Sequence, residues 1–328
     1  MNKIKVSVLT DPMPWGKYFF YEVVKNIYRL IRDSINPNRE FFNHPKYKGH
    51  FAVTRSLVEG FNKINVNFNY NPRFPSHLGD TVIVLAGVKT LRQAIEFKKS
   101  GKIKKLFAGP NIVTFASDNN YLIASPEIDC YILNCKWALN LYINDCPSLK
   151  KRTFIWPAGV DTNYWRPNLS VDSNYILIYE KQMKGAVGPI SPYVNYLKQK
   201  GWKVKVLQYG TFSHSQYLSS LQISCLMIGF VLDESQGIAW AESWAANVPT
   251  LIWRNTITQY RGRTYKASTA PYLCKENGLF FNDLKDFKVQ FNYWESHQKI
   301  FSPRSWVLRN MSDEVCASIL YKKLVDHS

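Results

Sequence analysis

Several signatures are missing from this chain of 328 residues, and each absence removes a class of protein. The six cysteines, at 130, 135, 146, 225, 274 and 316, form no Cys-x-x-Cys pair, and no Cys/His cluster has zinc spacing. Reduced and mostly buried thiols are expected, not a disulfide framework or a zinc site. No apolar run reaches the roughly 20 residues needed to span a bilayer. The first apolar stretch, Ile4–Leu9, is too short for a signal peptide and suits a buried β-strand, so a cytoplasmic location is expected. There is no G-x-G-x-x-G fingerprint, no low-complexity segment and no short internal repeat. No Asp-x-Asp motif is present either, so no metal bridge to a sugar nucleotide is expected.

Negative charge is also in short supply. Asp and Glu number 24 against 42 Lys and Arg, a formal net charge of +18. Such an excess favours anionic partners: nucleic acid, anionic lipid or phosphorylated small molecules. A nucleic-acid-binding protein would explain it, yet no helix-turn-helix, RRM or zinc-finger pattern is visible, and nucleic acid is not the expected partner. The cluster Lys89, Arg92, Lys98, Lys99, Lys102, Lys104 and Lys105 reads either as a solvated helix face or as a peripheral contact with an anionic membrane. A second basic segment, Arg254, Arg261, Arg263 and Lys266, is expected to border the ligand cleft.

What is present is alternation. At roughly 100–200 residues per domain, two domains are expected. Short apolar runs alternate with helical periodicity: strands at 4–9, 81–85, 104–107, 129–133 and 153–156, with helices at 20–31, 90–100 and around 136–142. Residues 36–50 read as a loop, and 165–174 as a linker. The pattern then restarts, with strands at 175–179, 203–208, 226–231 and 250–253 and helices at 192–201, 215–221 and 237–246. A last helix is expected over 313–325. Strand–helix alternation in both halves predicts an α/β fold of two doubly wound, mostly parallel sheets.

The chemistry concentrates in Asp233-Glu-Ser-Gln-Gly-Ile-Ala-Trp-Ala-Glu-Ser-Trp-Ala-Ala-Asn-Val-Pro-Thr250, where a buried strand should end and a helix begin. Glu234 and Glu242 have seven residues between them, Gly237 opens the helix and Pro249 precedes the next strand. In open α/β sheets ligands bind beyond the carboxyl ends of the strands. A helix N-terminus there offers N–H donors and partial positive charge to a phosphate. A carboxylate can accept from both hydroxyls of a sugar diol.

This stretch resembles the donor-site motif of GT-B glycosyltransferases of the retaining family 4 type. Three further stretches resemble that family at the right intervals: Pro157-Ala-Gly-Val-Asp161 with Trp165-Arg-Pro167, Lys184-Gly185 after the strand at 175, and Asn277-Gly-Leu279. The resemblance implies two facing Rossmann-like domains, residues 1–168 and 169–300, with the donor cleft between them and 301–328 packing back on the first. It implies a hexosyltransferase using a nucleotide-sugar donor such as a UDP- or GDP-hexose, a glycan or lipid-linked acceptor, and no separate cofactor. By it, Glu242 holds the ribose, while Glu234 and the backbone of Ser235, Gln236, Gly237 and Ile238 face the transferred sugar, with Glu234 as the catalytic candidate. Lys184 binds the donor diphosphate, and Lys181 stands in for an Arg that the family carries. The turn Gly210-Thr211-Phe212 is a further donor-side candidate, with Phe212 flanking the base. Acceptor-side candidates are Trp15, Gly16 and Lys17 in the first βα turn and Gly109, Pro110 and Asn111 in a second loop. A GT-B epimerase or phosphorylase is the nearer alternative activity.

Overall fold

The computed structural model describes residues 4–11, 24, 27, 50–72, 74–168, 174–181 and 188–326. The chain divides into two compact units, Met1–Gly159 with Asp313–Ser328, and Val160–Ser312.

The first unit holds a parallel sheet of six strands, β1 (Val6–Thr10), β2 (Phe68–Tyr70), β3 (Thr81–Ala86), β4 (Lys105–Asn111), β5 (Cys130–Leu133) and β6 (Thr153–Ile155), in the order β2-β1-β3-β4-β5-β6. β1 and β3 are buried along their whole length, which is why they read as unbroken apolar runs rather than as alternations. The Val88–Lys99 helix lays Leu91, Ala94, Ile95 and Phe97 inward. It stops at Gly101, whose φ of +72° suits a residue without a Cβ.

Two elements of this unit depart from expectation. Gly109-Pro110-Asn111 is the tail of β4, not a loop, and Gly109 and Pro110 are buried. Gly109 has φ +103°, and a Cβ there would sit 2.2 Å from the Ile132 carbonyl oxygen on β5. The glycine permits close approach of two strands, and only Asn111 reaches the strand end. The second departure is a helix, His50–Lys63, in a stretch where no element was expected. Its Ala52, Val53, Leu57 and Phe61 are buried, but so are Thr54, Arg55 and Ser56. Ser56 Oγ accepts from the Gly159 amide at 2.7 Å, and Arg55 donates to both carboxylate oxygens of Asp313 at 2.8 and 3.1 Å. Polar side chains that find buried partners blur the 3.6-residue period.

The second unit is built on β7 (Tyr175–Lys181), β8 (Lys203–Gln208), β9 (Ser224–Val231) and β10 (Thr250–Trp253), then a two-stranded antiparallel ribbon, β11 (Ile257–Tyr260) and β12 (Arg263–Lys266), and finally β13 (Gly278–Phe281). Its five-stranded parallel sheet runs β13-β10-β9-β7-β8. One face packs Ile176, Ile178, Leu226, Ile228, Phe230 and Phe281 against Tyr193, Phe287, Phe291 and Trp294 of flanking helices. The rings meet mostly edge to face, for example Tyr193 and Phe230 at 5.0 Å. Much of this core is therefore aromatic.

The borders between units fall at 159/160 and 312/313 rather than at 168/169 and 300/301. The Val160 amide donates to the Met311 carbonyl at 3.0 Å. Arg304 donates to the carbonyls of Thr162, Trp165 and Ala245, and Trp306 packs on Trp244 at 5.4 Å. Residues 160–168 and 301–312 therefore belong with the second sheet. Only the Asp313–Asp326 helix joins the first unit, where Cys316, Leu320 and Leu324 are buried and Trp156 Nε1 donates to the Cys316 carbonyl at 2.7 Å. Among the described residues no helix is long and apolar enough to cross a membrane.

Candidate functional site

In the second sheet the chain steps from β7 outward to β8, then returns to the other side of β7 for β9. The carboxyl ends of β7 and β9 are thus the topological switch point, where open α/β sheets hold ligands. Lys181 is the last residue of β7 and stands in register with Val231, the last of β9. Beyond Val231 the chain runs through Leu232–Gly237 into the Ile238–Ala245 helix. Lys181 Nζ and Glu234 Oε1 lie 2.7 Å apart, with side chains 21% and 17% exposed.

The loop carrying Glu234 is pinned on both sides. The Glu234 amide donates to the Ser268 carbonyl at 2.9 Å, Thr258 Oγ1 donates to Asp233 Oδ2 at 2.7 Å, and Asn255 Nδ2 donates to the Leu232 carbonyl at 2.8 Å. At its end Gly237 takes φ +78°, and a Cβ there would lie 2.2 Å from Cδ1 of Trp240. A Cβ at Gly229 on β9 would meet the other end of the same indole, 2.6 Å from Cη2. Trp240 is a buried wedge between strand and helix, and its Nε1 donates to the Thr269 carbonyl at 2.8 Å. Gly237 therefore serves both the left-handed turn and this wedge.

The electrostatics follow from burial and charge. Desolvation disfavours the Lys181 ammonium, but the charge and hydrogen bond of Glu234 outweigh it, and Lys181 stays protonated above its ordinary range. The Tyr209 ring lies 4.9 Å from its Nζ, a cation–π contact. Tyr179 is pushed well above the usual phenol range by burial and then by both Glu234 and Glu242. Tyr217, whose hydroxyl donates to the Ala239 carbonyl at 2.7 Å, is raised by burial and by Glu242. The two carboxylates thus act on a common phenol, Tyr179. Glu242 is only 4% exposed, on a helix buried from Trp240 to Ala245.

Among the other expected donor-side residues, Gln236 and Gly237 are buried, Ile238 is half-buried and Ser235 is exposed. Gly210 has φ +91° and open space where a Cβ would stand. Thr211 is exposed, and Phe212 is half-buried, packed on Tyr179 and Tyr217 at 6.0 and 5.7 Å. The outward ring of this turn is Tyr209, which the sequence reading passed over. Its signal was present: an aromatic residue directly after a strand and before a glycine. Lys184 and Gly185 lie outside the described residues, as do Trp15, Gly16 and Lys17.

No family model matches this sequence, and a search of the curated proteins finds no match. Solved structures do match along almost the whole chain. HepE of Anabaena in complex with UDP superposes with TM-score 0.55 at 12% identity, over 98% of this chain and all of that one. The fold is that of the GT-B glycosyltransferases. The catalytic domain of starch synthase IV from Arabidopsis thaliana, bound to ADP and acarbose, gives 0.54 at 8% identity over 99% of both chains. The lipopolysaccharide outer core galactosyltransferase WaaB gives 0.53 at 10% identity over 99% of this chain and all of that one. At these identities the likeness is one of fold, and function rests on the site.

Proposed function

We propose that this chain is a glycosyltransferase that takes a nucleotide-sugar donor at the carboxyl ends of β7 and β9. The observation that carries the reading is the Lys181–Glu234 pair: a cation and a carboxylate, 2.7 Å apart, at the switch point of a doubly wound sheet. An ammonium has three N–H donors, and the carboxylate accepts one of them. The remaining donor capacity suits a diphosphate, and the amino end of the Ile238–Ala245 helix adds partial positive charge. Lys184 joins this cationic set by the resemblance of Lys184-Gly185 to the family motif.

The reaction needs this arrangement. The bond from the anomeric carbon to the diphosphate oxygen breaks, and the nucleoside diphosphate departs with the electron pair. An acceptor hydroxyl oxygen bonds to the anomeric carbon, and its proton passes to the departing diphosphate or to water. Negative charge grows on the leaving diphosphate, so a fixed cation stabilises the transition state more than the ground state. Glu242 is assigned to the ribose hydroxyls and Glu234 to the transferred sugar, a hexose, with retention of configuration and a glycan or lipid-linked hydroxyl as acceptor. The fold neighbours solved with UDP or ADP support the donor class.

The test is calorimetric titration of UDP, GDP and the matching nucleosides into the parent and into Lys181→Ala. Loss of a charge-assisted contact is worth about 1.5–3 kcal/mol, roughly tenfold to a hundredfold in diphosphate affinity. Nucleoside affinity should hardly move. Equal loss for both, or no binding of any nucleotide by the parent, sinks the reading.

A further inference from the structure

β6 is an edge strand of the first sheet. The Arg152 carbonyl accepts from the Tyr131 amide at 2.6 Å, and the Trp156 amide donates to the Leu133 carbonyl at 2.8 Å. In a parallel ladder alternate residues bond to one neighbour, so the backbone of Phe154 also faces β5, while that of Thr153 and Ile155 turns outward. The two N–H and two C=O groups of Thr153 and Ile155 have no hydrogen-bond partner among the described residues. Two other sheet edges are guarded. β8 carries Lys203 and Lys205, a charged edge that resists pairing. β13 is closed at its ends, where the Gly278 amide donates to the Cys274 carbonyl at 3.0 Å and the Asn282 amide to Asp286 Oδ2 at 2.8 Å. β6 reads Thr-Phe-Ile, residues of high strand preference with no charge among them.

Beside this edge lies a groove of about 630 Å³. Leu139 and Ile143, one turn apart on the Lys136–Asp145 helix, form an apolar wall with Phe154 and Ile155, and all four are half-buried. Lys136 and Lys150 line the groove as well, both exposed, and neither has an ion pair among the described residues. No acidic side chain lines it. The basic run nearby is differently placed: Lys98, Lys99 and Lys104 pair with Asp129, Glu96 and Asp80 at 2.6, 3.1 and 3.0 Å. Unpaired backbone groups, an apolar wall and two uncommitted cations together fit an extended peptide segment that carries acidic residues. Main-chain bonds give such a complex its affinity, the groove selects side chains, and charge selects the partner. A second copy of this chain fits poorly. It would set Lys136 and Lys150 against the same two residues, and each copy carries a formal net charge of +18.

We infer that the β6 edge takes an extended acidic segment of another protein as an added strand. Thr153 and Ile155 pair with it through the backbone, Leu139 and Ile143 receive its apolar side chains, and Lys136 and Lys150 meet its carboxylates. The inference stands apart from the donor reading, because none of these six residues is assigned to the nucleotide.

The experiment titrates the full chain with a fluorescent peptide of alternating valine and threonine flanked by glutamates, read by anisotropy. A matched peptide has lysines in place of the glutamates, and a third is the glutamate peptide N-methylated at alternate residues. The parent should bind the glutamate peptide, more weakly as salt rises, and neither of the other two. Amide exchange should slow at Thr153 and Ile155 when that peptide is bound. Ile155→Pro removes one outward N–H, a change that sheet edges accept, and should weaken binding roughly tenfold. Lys136→Glu with Lys150→Glu should reverse the preference in favour of the lysine peptide, which tests the site even if the proline variant fails to fold. UDP titration should be the same in the parent and in the charge-reversed variant. Equal binding of the glutamate and lysine peptides, undiminished binding of the N-methylated one, or exchange that slows elsewhere but not in β6 overturns the proposal. So does a parent that binds none of the peptides, including one that instead sediments as a dimer and becomes a monomer in Ile155→Pro.

Discussion

Two ion pairs tie together distant parts of this chain, and they are built differently. In the first unit Arg55 and Asp313 form a two-pronged pair with side chains 3% and 0% exposed, joining the His50–Lys63 helix to the Asp313–Asp326 helix. In the second, Lys181 and Glu234 meet through a single contact and keep 21% and 17% of their surface in water. The first pair is sealed, so its charges serve the fold. The second stands at strand ends, with Tyr209 to one side and the open turn at Gly210 nearby, so its charges remain within reach of a ligand. Of these two pairs, only the one at the strand ends keeps surface that a ligand can reach.

The comparison breaks most visibly if the sealed pair is cut. Arg55→Ala leaves the Asp313 carboxylate buried, with Lys63 at 3.8 Å as a partial substitute. Removing one partner of a buried pair costs about 3–5 kcal/mol. Urea unfolding should show that loss, while UDP affinity of the folded protein stays put. Next comes a contrast of two glycines in the second unit. Gly237→Ala combines left-handed strain with a clash on Trp240 and should destabilise by about 3 kcal/mol. Gly210→Ala has the strain without the clash and should cost about 1 kcal/mol. Equal effects would mean that the Trp240 wedge does not set the turn.

A smaller effect sharpens the functional half. Glu242→Gln should lower UDP affinity roughly tenfold to a hundredfold by weakening a charged hydrogen bond worth about 1.5–3 kcal/mol, with little change in melting temperature. Unchanged affinity would remove the ribose assignment. The smallest effect is in pH. Lys181 is held above its ordinary range by Glu234 against desolvation. The pair therefore stabilises the fold fully below the ordinary lysine pKa and loses that contribution as pH rises through the raised one. In Glu234→Gln desolvation is unopposed by that carboxylate, so Lys181 should deprotonate at lower pH. UDP affinity, titrated from neutral to alkaline pH, should then fall earlier than in the parent. Superimposable profiles would show that Glu234 does not set the charge of Lys181.

How far all this could be read from sequence depended on the element. β10 lies where its apolar run puts it, Thr250–Trp253, because such a run suits burial on both faces, and β8, Lys203–Gln208, where lysine and valine alternate along the edge of the sheet. The His50–Lys63 helix escaped because its buried face includes Arg55 and Ser56, whose partners are far off in sequence. The hairpin escaped because Arg261-Gly262 is not the Asn-Gly or Asp-Gly that signals such a turn. At the site, Glu234 and Lys181 were recognisable as residue types at motif positions. Their pairing was not, since it depends on β9 returning to lie beside β7. Tyr179 and Tyr209 gained importance only once the strand ends were placed.

The backbone pairing of Val160 with Met311 and Ser312 has a consequence for synthesis. The second unit starts and finishes at one point, as a continuous stretch of chain. A ribosome therefore completes every residue of the second sheet and its helices before it makes Asp313. The first unit, begun earlier, still lacks the helix that supplies Cys316, Leu320 and Leu324 to its interior and a counter-ion to Arg55. The part made later can close first, and the part made first must keep a place open until the Asp313–Asp326 segment emerges. A stalled chain ending near residue 312 should therefore carry a finished second unit that resists protease beside a first unit that is still cut.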